Sequence, residues 1–172
     1  NNNSVTNEIS CNTLASQFDL KAPACALIDI PESLQFDKPV EYQQQYSNAD
    51  PRLKFANEML SDVSAAVPNL SKSYYSKRVS LDTLYAFDNM ICNADRGQQK
   101  TNLLISSKDA FLIDHEYAFN KKNIIGVDWN SFQIERKFTQ YHFLYPYLKN
   151  SWKAKKRYYF DEFQEYLKTL NI

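Results

Sequence analysis

The chain has 172 residues, and its 20 lysines and arginines balance its 20 aspartates and glutamates, so the formal net charge at pH 7 is zero. The length suits one domain, and the balanced charge removes the electrostatic basis for wholesale binding to nucleic acid or to an anionic membrane. Only two glycines are present, Gly97 and Gly126, which excludes both the P-loop and the G-x-G-x-x-G fingerprint of Rossmann folds.

Cysteine and histidine usage argues against a disulfide scaffold and against a metal site of the zinc type. Cys11, Cys25 and Cys92 are odd in number and widely spaced, and there are only two histidines. No apolar run approaches the roughly 18 residues of a membrane span, and the first residues lack the basic and then apolar pattern of a signal peptide. We therefore expect a soluble cytoplasmic protein with reduced thiols.

The first third of the chain predicts a helix, a strand and a long connection. Apolar side chains recur at helical spacing over residues 6–18, and Pro23 ends that helix. The apolar run 24–30, closed by a proline, predicts a short buried strand. The glutamine- and tyrosine-rich segment 32–51 is predicted to be a long loop.

The middle of the chain predicts two helices and a β-hairpin. An apolar stripe at helical spacing predicts the first helix over residues 51–67. Ser80 is placed to cap the second helix, and Asp82 lies in its first turn, where the helix dipole favours an acid. The apolar runs 103–105 and 111–113 are separated by a connection short enough for a hairpin.

The remainder, from about Trp129, is aromatic-rich and helical in pattern. We expect a last helix over residues 151–170, whose buried stripe comprises Tyr159, Phe160, Phe163, Tyr166, Leu167 and Leu170. These elements together predict an α+β fold that is mainly helical and carries a small central β-hairpin.

Four polar side chains lie at the ends of the predicted central elements: Asn93, Asp95, Asn102 and Asp114. A hairpin brings the start of its first strand beside the end of its second, so we expect Asn102 next to Asp114. Asp95 is expected nearby, at the base of the preceding loop. We expect Asp88, on the helix before this loop, to brace the loop rather than to contact a substrate.

This set of side chains suits phosphoryl transfer. One carboxylate can orient the attacking hydroxyl, while an amide oxygen and a second carboxylate can hold Mg²⁺ against nucleotide phosphates. An Asp followed by an Asn, and then by a hydrophobic run ending in Asp, is the order of the catalytic loop and the metal-binding aspartate in protein kinases.

Short motifs in this region resemble those of a known family. N-x-D-R at 93–96, N-L-L at 102–104 and a hairpin ending in I-D-H at 113–115 resemble the signature of HipA-like kinases. They are also similar to type II phosphatidylinositol 4-kinases, and both families belong to the protein-kinase-like superfamily. The match is densest over 88–119, and the helix that begins near Asn7-Glu8 looks like the family's N-terminal pattern.

The resemblance implies a role for each matching residue. Asp95 is the implied catalytic aspartate, while Asn102 and Asp114 are the implied Mg²⁺ ligands. The residues implied to contribute to cofactor binding are Glu8, through the phosphate-binding lysine, Asp29 and Ile30 at the adenine hinge, and Asn102 and Asp114.

The resemblance also implies a domain division and an activity. Residues 1–31 correspond to a remnant of the kinase N-lobe, and residues 32–172 to the helical C-lobe. The implied reaction is transfer of the γ-phosphoryl group of ATP, with Mg²⁺, to a Ser or Thr hydroxyl of a protein. The implied setting is a bacterial cytoplasm with a toxin–antitoxin context, in which a partner chain supplies the missing N-lobe or acts as an antitoxin. No membrane partner and no direct nucleic-acid contact are expected.

Two departures from the family pattern keep other functions open. Position 100 is Lys, where most kinases place the asparagine, and Asn102 is seven residues after Asp95. Neither a glycine-rich loop nor a strand lysine precedes Glu8. One alternative is a pseudokinase, a nucleotide-binding or protein-interaction module without turnover. The other is a lipid or small-molecule kinase of the phosphatidylinositol 4-kinase type.

Overall fold

In a computed structural model of the chain, the residues described are 2–31, 53–120, 127–128, 133–134, 137–154 and 160–170. They divide into two compact units, Ala24–Met59 and the remainder, which comprises Asn1–Pro23 and Leu60–Ile172. The described residues form five α-helices and small antiparallel sheets, so the predicted α+β class is confirmed. The likeness to a kinase C-lobe and the division at residue 31 stay predictions.

The first helix, α1 (Asn2–Gln17), begins earlier than predicted and buries one face. Cys11, Ala15 and Phe18 are buried, as their helical spacing indicates. The helix ends before Pro23 because Asp19 takes a left-handed backbone conformation, with φ 52°. The amide of the next residue then donates to the carbonyl of Ala15 at 3.0 Å, as in a Schellman motif.

The predicted hairpin is confirmed and is part of a three-stranded antiparallel sheet. Strands β4 (Leu103–Ile105) and β5 (Ala110–Leu112) pair directly, and the second strand lies one residue earlier than predicted. The short strand β3 (Ser64–Ala65) pairs with the other edge of β4. The segment after α1 also joins this sheet, since the Leu112 amide donates to the Lys21 carbonyl at 2.8 Å.

The predicted helix over 51–67 is wrong. That segment contains β3 and strand β2 (Lys54–Asn57), and Asp62 between them has φ 56°, which no helix interior accommodates. Leu53 and Val67, two apolar residues of this segment, are more than half exposed. Pairing with strands distant in sequence outweighs the local helical spacing.

The unit Ala24–Met59 contains strand β1 (Cys25–Ile28), which pairs antiparallel with β2. The strand was predicted correctly, but its predicted burial is wrong, because all four of its residues are exposed. Among the described residues of this unit, the sheet has only two strands, and three of the four β2 residues are half-buried. The predicted loop 32–51 lies outside the described residues.

The helical core is built on α3 (Leu81–Met90), which follows the short α2 (Lys72–Ser76). Ser80 occupies the predicted N-cap position, but its side chain bonds Glu162 Oε2 at 2.7 Å instead of capping the backbone. Phe18 stacks on Phe163 with ring centroids 4.8 Å apart and lies 5.6 Å from Phe87. These aromatic contacts join α1, α3 and the last helix into one core.

The single C-terminal helix predicted over 151–170 is also wrong. The chain forms α4 (Tyr145–Ala154) and α5 (Asp161–Thr169), and Phe160 before α5 has a left-handed φ of 72° that interrupts a continuous helix. Phe163 is buried as predicted, whereas Leu167 is 42% exposed. Tyr159 lies outside the described residues.

Between the hairpin and α4, the described residues include the strands β6 (Val127–Asp128) and β7 (Gln133–Ile134) and a 3₁₀ helix, Lys137–Tyr141. The paired strand β7 corrects the helical prediction for the start of this region. Within the described part of the chain, no helix is both long enough and apolar enough to cross a membrane.

Candidate functional site

Four side chains from the loop after α3 and from the ends of the hairpin lie together. Asn102 Nδ2 donates to Asp95 Oδ2 at 2.9 Å and to the Asp95 carbonyl at 3.3 Å. The Lys100 ammonium donates to the same Asp95 oxygen at 3.0 Å and to Asp114 Oδ2 at 2.6 Å. The structure thus brings together Asp95, Asn102 and Asp114, as their sequence positions predict, and adds Lys100.

The hairpin register explains why Asn102 and Asp114 are neighbours. The pair Leu103↔Leu112 is in register, so the residues that flank it meet at the open end of the hairpin. The Ile113 amide donates to the Asn102 carbonyl at 3.1 Å. Asn102 and Asp114 both have left-handed φ angles, 47° and 60°, which turn the chain out of the strand at the point where each side chain is presented.

The base of the loop is fixed by the buried Asn93. Its side-chain oxygen accepts from the Asp95 amide at 3.1 Å, and its amide nitrogen donates to Asp88 Oδ1 at 3.2 Å. Its own backbone amide donates to the Asp88 carbonyl at 2.9 Å. Asn93 is thus a positioning residue, and Asp88 braces the loop as predicted.

A buried ion pair lies beneath the site. Arg96 Nε donates to Asp88 Oδ2 at 2.7 Å, and neither side chain is exposed. Arg96 Nη1 also donates to the backbone carbonyls of Thr101, at 3.2 Å, and of Asn102. Burial by itself raises the pKa of the Asp88 carboxyl, but the Arg96 guanidinium and the His142 hydrogen bond outweigh it and hold the pKa below its ordinary value.

Two buried histidines extend this network. The Leu144 amide donates to His142 Nδ1 at 3.1 Å, which assigns the ring proton to Nε2, 2.8 Å from Asp88 Oδ2. Burial lowers the pKa of His142 despite the favourable Asp88 contact. His115 Nε2 lies 3.3 Å from Arg96 Nη2, so this buried histidine has a structural role beneath the site.

Helix α1 holds the segment that follows Asp114. Glu8 Oε1 accepts from the His115 amide at 2.8 Å, and Glu8 Oε2 lies 3.5 Å from His115 Nδ1. Asn7 Nδ2 donates to the carbonyls of Glu116 and Ala118, each at 2.8 Å. Among the described residues, the ion-pair contact of Glu8 is with His115 and not with a lysine. Glu8 therefore supports the segment after Asp114 through its own hydrogen bond to the His115 amide.

The two residues assigned to the adenine hinge lie in the other compact unit. Asp29 and Ile30 directly follow β1; Asp29 is exposed and Ile30 is half-buried. Their role in nucleotide binding stays a prediction.

The oxygen atoms of this cluster suit Mg²⁺. Among the described residues, no group of three or more His, Cys, Asp or Glu side chains could hold a metal by itself. Two carboxylates and an amide nevertheless fit Mg²⁺, which takes few protein oxygens and keeps water or phosphate oxygens as further ligands. Asn102 directs its amide nitrogen to Asp95, which leaves the amide oxygen as its possible ligand atom.

The sequence pattern did not identify two cations of this cluster. Arg96 receives no role from its place in the N-x-D-R motif, but it is 1% exposed and donates to the backbone carbonyls on both sides of the Thr101–Asn102 bond. Lys100 was noted only as a departure from the kinase pattern. The available signal was that Lys100 is a cation at the position where the kinase pattern places a metal-binding asparagine.

Comparisons with known proteins bear on this geometry. No curated protein and no solved structure matches the chain. The family model for HipA-like kinase matches residues 1–169, nearly the whole length. The match includes the loop, the hairpin and the helix that supports Asp114, and it supports phosphotransfer of the kinase type. The chain therefore belongs to the HipA-like kinase family.

Proposed function

We propose that this protein is an ATP-dependent kinase that transfers the γ-phosphoryl group to a Ser or Thr hydroxyl of a protein substrate. Membership of the HipA-like kinase family supports kinase-type transfer. The observation that carries the proposal is the convergence of Asp95, Asn102 and Asp114 at the open end of the hairpin. The proposed setting is the cytoplasm, with an antitoxin-like chain as a possible class of partner.

Asp95 is the proposed catalytic residue. Its carboxylate is partly exposed, so a substrate hydroxyl can reach it. The Asn102 amide and the Asn93 side chain fix the carboxylate and the backbone amide of Asp95, respectively. Asp95 therefore accepts a hydrogen bond from the hydroxyl and orients it for attack, which is a positioning and proton-accepting role.

Asp114 and Asn102 are the proposed holders of Mg²⁺. When bound, the metal ion neutralises charge on the β- and γ-phosphate oxygens. The protein's own contribution is to aim both ligands at one place before substrate binds. Arg96 holds the Asn102 carbonyl, and Glu8 holds the amide that follows Asp114, so both ligands are fixed from beneath the site.

A nucleotide-binding module without turnover is the second candidate function. Two observations favour it: Lys100 binds both carboxylates, and Glu8 is engaged by the His115 amide rather than by a lysine. Lys100 thus occupies one oxygen of each carboxylate that a turnover-competent site needs free. This candidate predicts that the protein binds ATP and transfers no phosphoryl group.

The experiment combines binding and labelling. Thermal unfolding is followed with ATP in the presence and absence of Mg²⁺, and γ-labelled ATP is then supplied with protein acceptors. The proposal predicts stabilisation by Mg-ATP and labelled Ser or Thr. Asp95→Asn should lower the labelling rate by at least about 100-fold, the usual size of acid–base and positioning effects.

The matched control is Asp109→Asn, in the hairpin turn. Asp109 has a similar exposed fraction to Asp95, 34% against 28%, and it also pairs with a lysine, Lys21. This variant should label at the wild-type rate. Stabilisation by Mg-ATP without any label would select the module without turnover, and Asp95→Asn labelling at the wild-type rate would remove Asp95 from its role.

A further inference from the structure

The Lys100 side chain places a positive charge between the two carboxylates of the site. Its ammonium nitrogen lies 2.6 Å from Asp114 Oδ2 and 3.0 Å from Asp95 Oδ2. A lysine ammonium is charged at neutral pH. The Lys100 ammonium lies between the carboxylates that the proposed function assigns to the metal and to the substrate hydroxyl.

The Lys100 side chain can leave this position without unfolding the site. It is 54% exposed, and its flexible stem starts from a loop that is fixed by its backbone. The Gly97 amide donates to the Lys100 carbonyl at 2.9 Å. The Lys100 backbone therefore stays in position when its side chain moves away from the carboxylates. Asp95 retains its bond from Asn102 in that case.

We propose that Lys100 is a tethered cation that joins Asp95 to Asp114 in the metal-free protein and must leave Asp114 before a divalent ion binds there. The inference rests on the proposed function in one respect, namely that the Asp114 carboxylate faces the metal. An ammonium and a divalent ion repel each other and require the same oxygen atoms. Lys100 thus lowers the affinity of the free protein for metal and couples metal entry to departure of its side chain.

The test measures binding of Mn²⁺ alone to the nucleotide-free protein by titration calorimetry or by the spin-resonance signal of the free ion. Mn²⁺ is the probe because it takes the same hard oxygen ligands as Mg²⁺. Lys100→Gln removes the charge and keeps much of the stem. It should bind Mn²⁺ about tenfold more tightly than the wild type, the factor that corresponds to about 1.4 kcal/mol. That is the scale of two exposed ion pairs.

Two control variants separate this effect from a general change in charge. Lys108→Gln makes the same change in net charge in the hairpin connection and should leave Mn²⁺ affinity at the wild-type value. Asp114→Asn added to Lys100→Gln should abolish the gain. Equal Mn²⁺ affinity in Lys100→Gln and the wild type would overturn the proposal, as would a gain that Lys108→Gln reproduces or that survives the loss of Asp114.

The outcome is separable from that of the proposed kinase activity. If Lys100→Gln gains Mn²⁺ affinity but Mg-ATP stabilises neither protein, the tethered-cation inference stands and the kinase proposal fails. If Mg-ATP stabilises both proteins and labelling proceeds while their Mn²⁺ affinities are equal, the kinase proposal stands and this inference fails.

Discussion

Replacing Asp88 by asparagine removes one charge from the buried ion pair beneath the site and changes the side-chain volume very little. In the wild type, Asp88 Oδ2 accepts from Arg96 at 2.7 Å and from His142 at 2.8 Å, and Oδ1 accepts from Asn93. The variant leaves the guanidinium of Arg96, which is 1% exposed, without a countercharge. We therefore expect Asp88→Asn to be strongly destabilising.

The expected magnitude follows from the burial of the pair. Removing one partner of a fully buried ion pair costs about 3–5 kcal/mol of unfolding free energy, since the remaining charge is desolvated and unpaired. For a chain of this size, that corresponds to a decrease in Tm of roughly 6–20 °C. Urea denaturation followed by circular dichroism measures the free energy directly, and thermal scans give the Tm.

The control and the double variant test the cause. Asp82→Asn, in the first turn of the same helix, should cost less than about 1 kcal/mol, since it loses only a dipole interaction. Asp88→Asn combined with Arg96→Met should cost less than the sum of the two single changes, because the unpaired charge is gone. A cost for Asp88→Asn no larger than for Asp82→Asn would refute the burial argument, as would strict additivity in the double variant.

Two further predictions concern pH and packing. Burial lowers the pKa of His142 below its ordinary value of about 6.5. As the pH falls, His142 is therefore protonated at a lower pH in the folded state than in the unfolded state. Stability should therefore decrease as pH falls from 7.5 to 5. The urea midpoint of His142→Gln should fall less over this range than that of the wild type. An equal fall in both proteins would show that His142 does not cause the pH dependence. Phe163→Ala removes the ring stacked on Phe18 and should cost about 3 kcal/mol by urea denaturation; a cost below about 1 kcal/mol would show that α5 contributes little to the core.

The parts of the fold that could be predicted from sequence are those set by local chemistry. The hairpin follows from two apolar runs and a short polar connection, and its closure alone places Asn102 beside Asp114. The position of the α3 start is also predicted correctly, with Ser80 at the N-cap and Asp82 in the first turn, although the Ser80 side chain bonds Glu162 instead of the helix backbone. In the hairpin the interacting residues are close in sequence, so their spacing carries the information.

The failures have a common physical cause, which is that non-local contacts decide the outcome. The segment 51–67 has helical spacing, but its backbone pairs with β1 and β4, which are distant in sequence. The break before α5 depends on the left-handed backbone conformation of Phe160. Phenylalanine rarely adopts this conformation, so the sequence does not predict the break.

The same cause limited the prediction of the site. Arg96 is next to Asp95 in sequence, but its burial depends on Asp88, His115 and the Thr101–Asn102 carbonyls. Lys100 contacts Asp114 across 14 residues of sequence, and only closure of the hairpin brings them together. Sequence spacing was enough to predict the two aspartates and the asparagine of the site. The contacts of the two cations, Arg96 and Lys100, became visible only in the folded structure.

The most direct test of the central claim compares two isosteric variants of the site in one pair of assays. The account assigns metal–nucleotide binding to Asp114 and orientation of the hydroxyl to Asp95. Asp114→Asn should therefore lose the thermal stabilisation by Mg-ATP, whereas Asp95→Asn should keep that stabilisation and lose labelling of the protein acceptor. If Asp114→Asn keeps the full stabilisation by Mg-ATP, or if Asp95→Asn transfers label at the wild-type rate, this cluster is not the phosphotransfer site.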